Sequence, residues 1–361
     1  MMKMKNNYFL LYTDCVIVSG IKECLIHDLT RKDIYKFPQG YYHILQKLKK
    51  QKISEIESIL SSDDVSNFKL LLNFLVENEL GEYVDDISLF PEMSTEWDSP
   101  HQITNAIIDY NESSYDLNDI FCQLAQLNCQ HIEFRSYSKT DCNFVSDIIS
   151  VANKYYLNSI ELILRYEDEN LIDEMLSIME SNYIVERITF YNAPNNKVRK
   201  IKRHNESIGY IVSTEQDVVS NKSCGIINFK NFNVSGIKEY TEAKNYNSCL
   251  NRKVSIDIDG KIKNCPSMLK DYGHINSVAL TEVVNNNEFQ KLWFINKDKI
   301  SVCKSCEYRY ICTDCRAFVE NPKDLYSKPL KCGYNPETNE WEKWSTNPLK
   351  ERAKKYYELV L

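Results

Sequence analysis

Glycine is scarce, with 9 residues in a chain of 361, where an average protein carries about 7%. The nine stand alone at 20, 40, 81, 209, 225, 236, 260, 273 and 333. Neither G-x-G-x-x-G nor GxxxxGK[ST] can be written from them, which excludes Rossmann and P-loop nucleotide sites. A backbone-amide cradle for phosphate elsewhere is disfavoured for the same reason. Excess positive charge is also missing: 44 Lys+Arg against 51 Asp+Glu leave a net charge of −7, which argues against a nucleic-acid partner. No apolar run approaches the ~18–20 residues that span a bilayer, so no membrane association is expected. The opening MMKMKNNYFLLYTDC starts like a basic signal region, but its apolar run stops at Thr13-Asp14, too early for a signal peptide. A cytoplasmic protein is expected.

Catalytic motifs are thin. None of the six histidines forms HExxH, and no GxSxG occurs. The SSDD run at 61–64 reads as a helix start, and Glu167-Asp168-Glu169 as a solvated helix N-terminus favoured by the dipole. No catalytic residue is assigned.

What is present is a hydrophobic content of 43%, with 24 Tyr, enough for a folded chain of two or three domains. Residues 1–90 open with β-like runs at 8–12, 16–18, 24–27 and 34–37. Helical patterns follow through Tyr42, Ile44, Leu45 and Leu48, then through Ile53, Ile56, Ile59 and Leu60. A third helix, capped by Ser62 or Asp63, carries Val65, Phe68, Leu71, Leu72, Leu75 and Val76, with Gly81 placed for a left-handed C-cap. Residues 82–86 can return as a strand. The stretch 91–100 is polar and irregular, a linker.

Residues 101–240 alternate strand and helix. Candidate strands are 103–108, 131–134, 159–164, 187–191, 207–212 and 225–229, and the first four start 28 residues apart. This is a βα repeat of about six units, a parallel sheet or open barrel short of a closed eight-unit barrel. From 241 to 361 the character changes. Val254, Ile256 and Ile258 alternate with polar residues ahead of Asp259-Gly260, a type I′ hairpin signal. A helical stretch at 280–295, a dense cysteine run and a charged helix at 348–361 follow.

Seven of the 13 cysteines lie between Cys249 and Cys332. Their spacing is Cys249-x10-Gly260-x4-Cys265, then Cys303-x2-Cys306-x5-Cys312-x2-Cys315, then Cys332. Three chemistries compete. A reducing compartment and an odd count disfavour disulfides. Structural zinc ribbons place ~12–20 residues between their cysteine pairs, and here only five separate Cys306 from Cys312. Iron–sulfur clusters tolerate such tight thiolate runs. Seven thiolates suit two cubane clusters, one with four ligands and one with three plus an outside ligand or an open iron. Cys15, Cys24, Cys122, Cys129 and Cys142 read as small core residues. Cys224 reads mainly as one too, with a ligand role as the alternative.

The pattern resembles the SPASM domain, the C-terminal auxiliary-cluster module of radical S-adenosylmethionine (SAM) peptide-modifying enzymes, over about 249–332. One departure is Cys312-Thr-Asp-Cys315, with two intervening residues where three are commoner. The segments CKSCEYRYICTDCRAF and KCGYNPETNEW are similar to one subgroup, the SPASM peptide maturases of grasp-with-spasm cassettes. Those cassettes also encode an ATP-grasp ligase and a small precursor peptide. The resemblance implies that Cys303, Cys306, Cys312 and Cys332 hold one [4Fe–4S] cluster, and Cys249, Cys265 and Cys315 the other. A radical SAM enzyme also needs C-x3-C-x2-C after its first barrel strand. That loop here reads DYNESSYDL from Asp109, and the motif occurs nowhere in the chain, so S-adenosylmethionine is not expected as a cofactor.

The order of strands then three helices in 1–90 resembles the PqqD-like peptide-recognition module, in which strand 34–37 and helix 68–76 would frame a peptide groove. The expected fold is α/β. It combines a winged-helix-like recognition module (1–90), an incomplete radical-SAM-like βα barrel (101–240) and a SPASM iron–sulfur domain (241–361). The expected function is maturation of a ribosomally synthesised peptide, binding the precursor and acting with an ATP-grasp ligase. The alternatives are a redox enzyme using an open auxiliary [4Fe–4S] cluster and a zinc-stabilised scaffold.

Overall fold

The structure is a computed structural model and describes residues 7–203, 206–232, 234 and 236–359; the basic start and His204 fall outside them. The chain opens with β1 (Tyr8–Leu11), β2 (Cys15–Ser19), β3 (Glu23–Asp28) and β4 (Asp33–Pro38). Helices α1 (Tyr41–Leu48), α2 (Ile53–Ser58) and α3 (Ser62–Glu77) follow, then β5 (Gly81–Val84). β2, β3 and β4 form an antiparallel sheet, while β1 pairs with β5. Alternation sorts the side chains of β3: Cys24 and Ile26 join Leu45, Phe68, Leu72 and Leu75 of the helices, while Leu25 faces the other way.

Two local expectations are corrected here. The cap of α3 is Ser61, whose Oγ accepts from Asp64 N at 3.2 Å, not Ser62 or Asp63. The left-handed residue after the helix is Glu79 (φ 52), not Gly81. Gly81 is needed for close approach: a Cβ there would lie 2.3 Å from the Leu10 carbonyl oxygen.

The central sheet contains β6 (Asn105–Tyr110), β7 (His131–Ser136), β8 (Ser159–Arg165), β9 (Val185–Tyr191), β10 (Lys197–Arg203) and β11 (Glu206–Ser213). Crossover helices α4 (Leu117–Gln126), α5 (Cys142–Lys154) and α6 (Glu169–Ser181) link the first four strands. Asp116, Asp141 and Asp168 cap these helices through their side chains. Beyond them lie α7 (Ile237–Asn245), β12 (Lys253–Ile256) and β13 (Ile262–Lys263). The result is an eight-stranded, mostly parallel sheet of order β10-β11-β9-β8-β7-β6-β12-β13. β12 pairs parallel with β6 and carries the cysteine-rich region into the sheet.

The expected strand at 225–229 is not part of this sheet. Ile227 makes a single bridge to Cys332, and Phe229–Asn231 is a 3-10 turn. The hairpin between β12 and β13 is not type I′, because only Gly260 has positive φ (75). It is a longer loop in which the Asp257 carboxylate accepts from the Asp259 and Lys261 amides and Gly260 takes the left-handed position. The stretch 280–295 breaks into α8 (Leu280–Val284), α9 (Asn287–Gln290) and a 3-10 turn. After β14 (Tyr334–Asn335) and β15 (Glu340–Trp341), the charged terminal helix shrinks to α10 (Glu351–Tyr356).

One face of the central sheet buries Ile108, Phe134, Leu162, Ile188 and Val254 beneath the helices. The opposite face is polar. Arg135 meets Glu133 and lies 3.8 Å from Asp109, and Arg187 meets Glu161 at 2.6 Å. Burial pushes the Asp109 carboxyl up to about 7, against the opposing pull of Arg135 and a Tyr137 hydroxyl bond.

The N-terminal sheet is sealed onto the cysteine-rich region. Lys36 donates to the Tyr308 hydroxyl at 2.7 Å, and Arg309 donates to the Ser19 carbonyl. His27 is fully buried, with no partner at either ring nitrogen. Burial, aided by the Arg309 charge, pushes it down to about 3. A depressed histidine favours folding above its unfolded pKa and withdraws that stability as pH falls from about 6.5 toward 3. His27→Leu should therefore remove up to about 1.4 kcal/mol of acid destabilisation per pH unit in that window. Urea unfolding at pH 7 and pH 5 checks this, and equal pH slopes for the two proteins would refute it.

Candidate metal centre

The cysteine-rich region has little regular structure, so local turns and buried side chains position its thiols. Cys303 opens a 3-10 turn (Cys303–Ser305), and its carbonyl accepts the Cys306 amide at 3.0 Å. Cys312 packs with Cys332, Tyr308, Ile311 and Ile227 in one small apolar cluster, with Cys306 at its edge. Cys249 sits in the turn between α7 and β12, and Cys265 follows β13. Cys265 belongs to a second cluster with Cys303, Leu250 and Phe318, and Cys249 and Cys315 pack against it. All 13 cysteines are free.

Burial raises the thiols of this region, and neighbouring charges add to it. Burial pushes Cys312 up to about 12, with Cys332 and Cys303 adding to the shift. Cys306 is raised by burial, by Glu307 and then by Cys312 and Cys303. Burial pushes Cys265 up to about 12, with Cys249, Cys224 and Cys315 adding in that order. Burial likewise pushes Cys315 up to about 11, with help from Cys249 and Cys224. The packing puts Cys312 and Cys332 in one apolar cluster with Cys306 against it, and Cys265 and Cys303 in another with Cys249 and Cys315 against it, so Cys303 packs with the set of Cys265 rather than with that of Cys312. The backbone next to Cys224, which reads from sequence mainly as a core residue, also comes close to Cys315 at Gly225. Cys224 is instead exposed, while Cys15, Cys24 and Cys129 are buried, and Cys122 and Cys142 half-buried.

Asp314 links the two sets. It is fully buried between Cys312 and Cys315. Its carboxylate lies 2.9 Å from Arg316 Nε and 3.2 Å from Lys297 Nζ, and accepts from Asn247 Nδ2 at 2.9 Å. Asn247 Oδ1 in turn accepts from the Cys249 and Leu250 amides. Ser248 Oγ donates to the Cys312 carbonyl at 3.1 Å. These bonds anchor both ends of the short Cys312-x2-Cys315 spacing.

Buried cations surround the thiols. Burial alone would lower Lys297, but Asp314, Cys312 and Cys303 outweigh it and hold the ammonium well above its ordinary range. Lys253 reaches Cys249 Sγ at 3.8 Å. Lys331 donates to the Cys224 carbonyl at 2.7 Å, and Lys350 to the Cys332 carbonyl at 2.7 Å. Such positive surroundings suit a group that carries several thiolates.

Among the described residues, no three Cys, His, Asp or Glu side chains converge closely enough for a single metal ion. A zinc ion would draw its thiolates to about 2.3 Å from one point.

The family of SPASM domains, described as an iron-sulfur cluster-binding domain, matches residues 248–307. The match takes in Cys249, Cys265, Cys303 and Cys306. No curated protein matches the chain. The chain thus carries a SPASM domain, which implies iron–sulfur binding.

Breaking a buried ion pair from one side leaves its partners uncompensated and costs about 3–5 kcal/mol. Asp314→Ala is expected to lower the unfolding free energy by about that amount in urea titration of anaerobic protein. An unchanged midpoint would remove Asp314 as the organising group.

Proposed function

We propose that this protein takes part in maturing a ribosomally synthesised peptide, binding the precursor and acting with an ATP-grasp ligase that forms the new bond. The observation that carries this reading is the edge of β4. β4 pairs with β3 and has no second partner among the described residues. Beside that edge α3 presents Leu70 (65% exposed) and Phe74 (37% exposed), one helical turn apart. Phe74 meets Tyr35 and Phe37 with ring centroids 6.0 and 5.6 Å apart. An extended peptide can add to such an edge, taking affinity from backbone hydrogen bonds and specificity from these side chains. The unit is read as a winged-helix-like recognition module, and the central sheet as an incomplete radical-SAM-like barrel.

Two [4Fe–4S] clusters are proposed for the cysteine sets, with the seven cysteines of the SPASM pattern as ligands. When bound, they would supply structural order and a route for electrons. Lys297, Lys253 and Lys331 balance the thiolate charge, and Asp314 orients the loops. S-adenosylmethionine has no proposed role, because the loop after β6 holds no cysteine. Thirteen free thiols fit a reducing, cytoplasmic setting. Among the described residues, no helix is long and apolar enough to cross a membrane.

Two measurements test the reading. Anaerobically purified protein should contain iron and sulfide and show broad brown absorbance that is lost in Cys303→Ala/Cys306→Ala; zinc without sulfide would favour the scaffold alternative. Labelled precursor peptides from the same cassette should bind, and Phe74→Glu should weaken Kd by about tenfold or more. Absence of affinity for every cassette peptide and for the ligase would overturn the proposal.

A further inference from the structure

We propose that Cys224 is the fourth protein ligand of the cluster held by Cys249, Cys265 and Cys315. This rests on the iron–sulfur reading above and adds a residue that lies outside the seven-cysteine pattern.

The segment carrying Cys224 is pinned from three sides. Asn221 Nδ2 donates to the Pro266 carbonyl at 3.0 Å, and Ser267 Oγ donates to the Asn221 carbonyl at 2.9 Å. Those bonds tie it to the residues that follow Cys265. Lys331 Nζ donates to the Lys222 and Cys224 carbonyls, and Ile227 N donates to the Lys331 carbonyl at 3.1 Å. The third side is Cys315 itself. Gly225 has φ +87, and a Cβ there would stand 3.0 Å from Cys315 Sγ. A glycine at this point lets the backbone beside Cys224 approach the Cys315 thiol.

Cys224 is the exposed member of the 13 free cysteines, beside the buried Cys265 and the partly buried Cys249 and Cys315.

Each iron of a cubane takes one ligand beyond its sulfides, and three cysteines leave one iron short. Cys224 fills that position as a thiolate: the S–H bond breaks, an S–Fe bond forms, and the proton passes to solvent with no change of oxidation state. A cluster closed by four thiolates has no open iron for S-adenosylmethionine or substrate. The inference therefore separates the maturation reading from the open-cluster redox alternative.

The test uses the full chain, reconstituted anaerobically with iron and sulfide. Iodoacetamide footprinting by mass spectrometry should label Cys224 about tenfold or more slower in loaded protein than after chelator stripping. Cys122 should react equally in both. Cys224→Ala should yield a three-iron EPR signal on mild oxidation and lose iron from one cluster, with wild-type protein showing neither. Equal labelling of Cys224 in loaded and stripped protein, or a Cys224→Ala spectrum matching wild type, overturns the assignment. Wild-type protein that takes up no iron and sulfide overturns the cluster reading itself, a result distinct from either of these. The footprint needs no variant, so a folding defect in Cys224→Ala does not blunt the test.

Discussion

A carboxylate buried among cations organises the cysteine-rich region. Asp314 faces Lys297 and Arg316 while accepting from Asn247, so one side chain fixes the turn of Cys249 and the loop from Cys312 to Cys315. The region has few ladders to satisfy its backbone, and buried carbonyls need donors. Lysines meet part of that need: Lys331 serves Lys222 and Cys224, Lys350 serves Leu330 and Cys332, and Lys354 serves Ser345. Lys331 and Lys350 also bring positive charge beside the thiols. Backbone satisfaction and positive charge beside the thiols thus come from one set of residues.

The region is coupled to the rest of the protein at two surfaces. β12 inserts into the central sheet beside β6 and sends Lys253 back to Cys249. The N-terminal sheet lies against Tyr308 and Arg309, with Leu25 in the same apolar cluster as Cys312 and Cys332. The free edge of β4 therefore belongs to a sheet whose back rests on a cysteine set. A peptide added to that edge would lie close to the proposed clusters, so recognition and cluster integrity would share a packing surface.

Much of the fold is legible in the chain. Helices α4, α5 and α6 show apolar faces at helical spacing and begin at aspartates that cap them, so both period and punctuation are local. β10 was not legible, because its sequence KVRKIKR is strongly basic and its strand character depends on antiparallel pairing with β11 at the sheet edge. The run 225–229 has strand-like composition, but its backbone finds only one bridge, between Ile227 and Cys332. Strand formation needs a partner, and a partner is not a local property.

The same division holds for the candidate site. By itself the sequence determined the tight spacing of seven thiols, since a thiol's donor character and its distance along the chain are local. It also determined the lack of a C-x3-C-x2-C motif and of glycine-rich phosphate loops. Tertiary structure decided which thiols gather. The segment carrying Cys224 is tied to the residues after Cys265 by Asn221 and Ser267, to Lys331 by its carbonyl, and to Cys315 by the Cβ-free approach of Gly225. Those contacts join segments far apart in the chain, so no spacing rule within one segment could have announced them.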